Sequence, residues 1–247
     1  MITDVHAHIF SSDLEGNKRD LLRTAERYGV TRYYVSNVEA GHYPSEEDVA
    51  RCNESVRDFC RERPDLIRGY TYLNPRNKNS IAELRRGIED YGMAGVKLWI
   101  ATYCDVPEVF PIAEQLITYD KPLLLHTFWK SVGQLADETT ADHVAKLAKR
   151  YPELKIIMAH LGGEAYHSIR AIANCPNVWV DNSGTLVGSN DINYAVKLLG
   201  VDRVLFGSDM GIAFAGPYGQ ILEADLTQEE REKILWKNTA KLFGEGY

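Results

Sequence analysis

Eight short runs of β-type residues recur along the chain, each followed by a helical pattern, and this alternation limits the fold more than any other feature. The runs are Thr3–His8, Arg32–Asn37, Arg68–Leu73, Gly95–Ile100, Leu123–Thr127, Lys155–His160, Val178–Asp181 and Arg203–Gly207. Their centres lie 23 to 36 residues apart. Antiparallel neighbours need only a short turn, whereas parallel neighbours need a crossover of about a dozen residues or more, usually a helix. The spacing therefore predicts parallel strands joined by helices. Eight such units in 247 residues predict an α/β fold. A single (β/α)8 TIM barrel is the expected form, since about 250 residues is typical for one. No linker or low-complexity segment interrupts the pattern, so one domain is expected over residues 1–247.

Helix signals fall between the runs. Ser45 precedes acidic Glu46, Glu47 and Asp48, a favourable first turn, and Pro64 stops that helix. Ser80 with Glu83, and Thr227 with Glu230, read as capping boxes. Further helices are expected over Asp20–Tyr28, Pro107–Tyr119, Thr140–Arg150, Glu164–Ala173, Asp191–Leu199 and Gln228–Phe243, with Met210–Gly219 left as a connection.

Composition excludes several functions. The net charge is -7 and no basic run appears, which argues against a nucleic-acid partner. No apolar run approaches a membrane span, and the first strand begins almost at Met1 with no leader pattern, so no membrane partner is expected. Cys52, Cys60, Cys104 and Cys175 form no Cys-x-x-Cys pair and read as reduced thiols of a cytoplasmic protein. The oligomeric state has no sequence signal.

The chemistry-bearing residues gather at strand ends. Residues two apart on a strand face one way, so His6 and His8 project together. His126 ends the fifth run, His160 the sixth, and Asp209 follows the eighth, while Lys97 lies in the fourth. In an α/β barrel, strand C-termini carry the site. Unpaired polar groups behind apolar runs are costly, so a common partner is expected. A divalent metal is the simplest one: zinc suits His and carboxylate ligands best, and manganese, iron or cobalt are compatible. The alternatives are a packed or solvated pair for His6 and His8, a hydrogen-bonded histidine at the Gly162-Gly163 turn for His160, and a lysine paired with a carboxylate for Lys97. His42, His143 and His167 read as surface or packing residues, and Glu39 as a loop residue or a weaker site candidate.

Taken together, Asp4-Val5-His6-Ala7-His8, Gly95-Val96-Lys97-Leu98, Leu125-His126-Thr127, His160-Leu161-Gly162-Gly163, Gly207-Ser208-Asp209 and the closing Trp236–Gly244 segment resemble the amidohydrolase superfamily. Within it they resemble the metal-dependent "amidohydrolase 2" group, which includes relatives of aminocarboxymuconate-semialdehyde decarboxylase. The resemblance implies His6, His8 and His126 as metal ligands, with Asp209 touching the metal or its water. It makes His160 either a ligand of a second metal or a proton-handling group, and Lys97 either a carboxylated bridge between two ions or a plain amine. One or two ions are therefore expected. The implied function is hydrolysis of a small amide, ester or lactone by a metal-activated water, with Asp209 and His160 moving protons. The alternative is a metal-dependent decarboxylase of a small unsaturated or aromatic carboxylate, since ligand set and fold do not fix the reaction. A barrel that binds but does not turn over is a third reading. Trp99, Trp129 and Lys130 are candidate contacts for the small-molecule substrate, and Arg76 is a second cation for its carboxylate.

Overall fold

The computed structural model describes residues 1–39, 41–184, 188 and 190–245. Its strands are β1 Ile2–His8, β2 Val30–Ser36, β3 Ile67–Leu73, β4 Gly95–Leu98, β5 Leu123–Leu125, β6 Ile156–Met158, β7 Val178–Asp181 and β8 Val204–Leu205. Every neighbouring pair is parallel, in the order β1 to β8. The ring then closes: Val5 N donates to Phe206 O at 2.9 Å, and Asp209 N to His6 O at 2.7 Å. This is the (β/α)8 TIM barrel the alternation predicts.

The strands read as apolar runs because each is covered on both faces. Inside the barrel, Val5, Tyr34, Tyr70, Leu124, Ile157 and Leu205 pack as one buried cluster. Phe243 packs against it, with its ring centre 4.0 Å from that of Tyr34. Outside, a larger cluster includes Val35, Leu73, Leu98 and Val180 from the strands, and Val56, Leu116, Val144 and Ile169 from the helices. The register of β1 against β2 shifts between Asp4 and Ala7, an irregularity that re-aims side chains at the end of the strand.

The helices are α1 Leu14–Tyr28, α2 Glu46–Glu62, α3 Ser80–Arg85, α4 Phe110–Tyr119, α5 Ala141–Arg150, α6 Ala165–Ile172, α7 Asp191–Leu199, α8 Ala215–Glu223, α9 Gln228–Glu232 and α10 Asn238–Phe243. Three differ from expectation. α1 begins at Leu14, with Asp13 accepting from Gly16 N, rather than at Asp20. Its first turns look polar, but Lys18 is buried and donates to Glu62 at 2.8 Å. The capping box of Ser80 and Glu83 does not form. Ser80 is already inside α3, and the buried Glu83 carboxylate accepts instead from Asn53 Nδ2 at 2.8 Å. α8 starts within the expected connection. Its Gly- and Pro-bearing opening carries no helix signal, but the preceding Phe214 is buried and stacks on Tyr28 at 4.7 Å.

The four cysteines are free thiols. Among the described residues, no helix is long and apolar enough to cross a membrane.

Candidate metal centre

The end of β1 and the loop after β8 meet because the barrel closes there. Asp4 fastens them: its carboxylate accepts from His6 N at 3.1 Å, from Ser208 N at 3.0 Å and from Ser208 Oγ at 2.5 Å. Asp209 then adopts a left-handed backbone, φ +70°, unusual outside glycine. Its side chain reaches the two β1 histidines. Oδ1 lies 3.4 Å from His8 Nε2 and 3.6 Å from His6 Nε2, and the two Nε2 atoms are 3.0 Å apart.

Hydrogen-bond partners assign the tautomer of each ring. His6 Nδ1 faces Asp181 Oδ2 at 3.0 Å, so it carries the proton, and Lys97 Nζ donates to the bare Nε2 at 3.0 Å. His8 Nδ1 faces the Ser36 carbonyl at 3.3 Å, which leaves its Nε2 bare as well. Two lone pairs 3.0 Å apart beside a carboxylate, in a buried place, are a poor arrangement for anything but a cation. The chemistry of His6, His8 and Asp209, whose donor atoms lie within 4.8 Å of one another, fits a divalent metal.

The electrostatics agree. Burial, with the Lys97 charge, pushes His6 down to about 3. Burial also lowers His8. Burial acts upward on Asp209, but the contact with His8 and the neighbouring His160 and His6 rings hold its carboxyl far below the usual range. Lys97 is fully buried, and burial brings it down to about 8 against the pull of Asp209 and Asp181.

His126 stands further round the barrel and is not part of that donor group. Its Nε2 donates to Glu138 Oε1 at 3.0 Å, and its bare Nδ1 faces His160 Nε2 at 3.3 Å. Burial lowers it to about 3. His160 has a left-handed backbone, φ +61°, held by a hydrogen bond from its N–H to Asp181 Oδ1 at 3.1 Å. Its Nδ1–H faces the Ser183 carbonyl at 3.2 Å, which turns a bare Nε2 toward His126. A second group with metal-like spacing, His6, His160 and Asp181, is consumed by these hydrogen bonds. Gly163 is required beside the site: at φ +85°, an added Cβ would meet Phe128 at 2.7 Å.

These side chains open on a cavity of about 400 Å³, lined by His8, His126, His160 and Asp209 with Phe10 and Trp99. Glu39 lines it too, and its Oε2 accepts from Ser12 N at 2.6 Å. Of the other candidate substrate contacts, Trp129 stacks on His167 at 5.2 Å and Lys130 Nζ is held by both Glu138 oxygens at 2.8 Å. Arg76 pairs with Asp137 at 3.1 Å. Of the remaining histidines, His42 packs edge-on against Trp99 and His143 stacks on Tyr103.

Sequence reasoning missed Asp181, Ser183 and Glu138. Asp181 ends the seventh run, so the strand-end rule that marked His126 and His160 would have found it. Ser183 and Glu138 carry no signal, because a loop residue two or twelve positions beyond a strand-end group can point anywhere.

The family model described as Amidohydrolase matches residues 3–244. A gamma-resorcylate decarboxylase from Polaromonas sp. strain JS666 is 23% identical over 281 residues, spanning 90% of this chain and 86% of that protein. The crystal structure of a dihydroxybenzoic acid decarboxylase from Polaromonas sp. JS666, with bound manganese and the inhibitor 2-nitroresorcinol, superposes with a TM-score of 0.79. The two are 18% identical, with 98% of this chain and 96% of that one covered. The 5-carboxyvanillate decarboxylase from Sphingomonas paucimobilis gives a TM-score of 0.77 at 15% identity, with 99% of each chain covered. These findings overturn the expectation of an amide, ester or lactone hydrolase: the curated relative and both solved structures are decarboxylases. The bound metal among them is manganese rather than zinc.

Proposed function

Because the chain belongs to the amidohydrolase family, we propose that it is a metal-dependent decarboxylase of a small aromatic carboxylate. The observation that carries this reading is the convergence of the bare Nε2 atoms of His6 and His8 with Asp209 Oδ1 beside the cavity. The gamma-resorcylate and dihydroxybenzoic acid decarboxylases to which the chain is similar support the choice of reaction. His6, His8 and Asp209 would hold one divalent ion, with manganese favoured by the bound metal of the similar structure; His126, beside His160, would be a further ligand only if its ring turned toward that group. Among the described residues, the second donor group, His6, His160 and Asp181, is spent on its own hydrogen bonds, and Lys97 Nζ donates to His6 Nε2; both favour one ion over two and Lys97 as an amine rather than a bridge. When bound, the ion supplies positive charge that fixes substrate oxygens and offsets developing negative charge.

The chain's own groups supply the rest. Decarboxylation breaks one carbon–carboxylate bond, releases carbon dioxide and leaves an electron pair on the ring carbon, which a proton must take up. His160 and Asp209 both line the cavity, and we assign to this pair the relay that takes a proton from the substrate hydroxyl or from solvent and passes it to that carbon. Phe10 and Trp99 form apolar contacts for a ring. The test is carbon dioxide release by manganese-loaded protein from a panel of hydroxylated benzoates that includes 2,6-dihydroxybenzoate. Release above that of the chelator-treated protein, with one solvent deuteron entering the product ring, is expected. No release across the panel would overturn the reading.

A further inference from the structure

One carboxylate and one hydroxyl at the end of β7 touch both halves of the site. Asp181 is fully buried; its Oδ2 faces His6 Nδ1 at 3.0 Å, and its Oδ1 accepts from His160 N at 3.1 Å and from Ser183 N at 3.0 Å. Ser183, 3% exposed, lies between the two rings. Its Oγ is 2.9 Å from His6 Nδ1, 3.0 Å from His160 Nδ1 and 2.5 Å from Asp181 Oδ1. A serine hydroxyl has one proton and two lone pairs. The carboxylate has no proton to give, so the hydroxyl proton goes to Asp181. Both lone pairs are then left to accept, one from each imidazole. Three neighbours therefore use all three of its hydrogen-bonding capacities, and both rings must carry their proton on Nδ1. The Ser183 carbonyl, 3.2 Å from His160 Nδ1, enforces the same choice for that ring.

We propose that Asp181 and Ser183 are positioning residues that lock His6 and His160 together in the Nδ1–H tautomer, so that one bare Nε2 is turned to the metal position and the other to the substrate. This rests on the metal reading of His6 given above, but the tautomers themselves do not. The arrangement also explains why His160 keeps a left-handed backbone conformation, which is strained outside glycine. The Asp181 carboxylate that orients the His6 ring also anchors the His160 amide. A rotation of either ring would leave Ser183 Oγ or Asp181 with an unsatisfied partner in a buried place.

The experiment reads the ring nitrogens directly, by long-range ¹H–¹⁵N correlation spectra of the full-length protein without metal. Wild-type protein is expected to show His6, His8 and His160 all as Nδ1–H. Asp181→Asn presents an amide N–H where the acceptor was, so His6 is expected to switch to Nε2–H while His8, which leans on Ser36, does not. Mn²⁺ affinity, measured separately by electron paramagnetic resonance, is expected to fall about 10- to 100-fold in that variant, the usual effect of losing the partner behind a ligating histidine. His6 or His160 found as Nε2–H in the wild type would overturn the proposal, whether or not the variant folds. So would a folded Asp181→Asn protein with an unchanged His6 tautomer. Wild-type protein that shows the Nδ1–H pattern but binds no Mn²⁺ would refute the metal reading and support the locking of the rings.

Discussion

Replacing Glu138 by Gln is expected to destabilise the protein by about 3 kcal/mol near neutral pH, and the loss should shrink in acid. Glu138 is 1% exposed. Its Oε1 accepts from His126 Nε2 at 3.0 Å and from Lys130 Nζ at 2.8 Å. Oε2 accepts from Lys130 Nζ and Gln134 Nε2, both at 2.8 Å, and from Leu135 N at 3.2 Å. Glutamine offers one oxygen and turns an NH₂ toward groups that are themselves donors. At least one charge-assisted hydrogen bond, about 1.5–3 kcal/mol, is lost, and Lys130 is left without its counter-charge. Proton linkage gives the same size. Burial acts upward on this carboxyl, but hydrogen bonds from His126, Lys130 and Leu135 overcome it and bring it from 4.5 to about 2. At about 1.4 kcal/mol per tenfold change in proton affinity, that is roughly 3 kcal/mol. A depressed carboxyl stabilises fully above its unfolded pKa, and the contribution is lost as pH falls from 4.5 through about 2. Urea denaturation of both proteins should show the full gap near pH 7 and less than half of it at about pH 3. The thermal midpoint near neutral pH should drop by about 6–12 °C. A gap of equal size at both pH values, or none at neutral pH, would refute the assignment of Glu138 as the ionised acceptor behind His126.

Three further outcomes follow from the geometry of the site. His8→Ala should fold but retain almost no manganese by elemental analysis; metal content equal to wild type would show that the β1 pair is not the metal position. Asp209→Asn should lower carbon dioxide release by about 100-fold or more, and near wild-type turnover would sink its part in proton transfer. Gly184 has φ +99°, and an added Cβ would stand 3.0 Å from His160 Nδ1. Gly184→Ala should therefore cost about 1–3 kcal/mol and slow turnover while Mn²⁺ affinity holds, and an unchanged rate would mean that His160 does not need its present position.

Much of the candidate site was legible because the barrel has a rule for which strand ends gather together. Once eight strand–helix units were counted, strand C-termini pointed to His6, His8, His126, His160 and Asp209, and all five reach one region. The cap at Ser45 and the helix Asp191–Leu199 were equally local and therefore readable. Reading failed where a distant group decided a local outcome. Glu83 left its expected cap for Asn53, 30 residues away, and the polar first turns of α1 became helical because Lys18 found Glu62. The reaction failed for a different reason: the same ligand types serve hydrolysis and carbon–carbon cleavage, and it was comparison with related proteins that turned the reading toward the second.

The sequence by itself determined the order of strands and helices, the barrel and the residues at its mouth, because hydrophobic period and turn signals act over a few neighbours. Only the tertiary structure decided which nitrogen of each histidine is bare. That choice belongs to an acceptor on another strand or loop. Asp181 lies 175 positions from His6, Ser36 lies 28 from His8 and Glu138 lies 12 from His126. An imidazole takes its tautomer from the partner it meets, and these partners meet only when the ring of strands is closed.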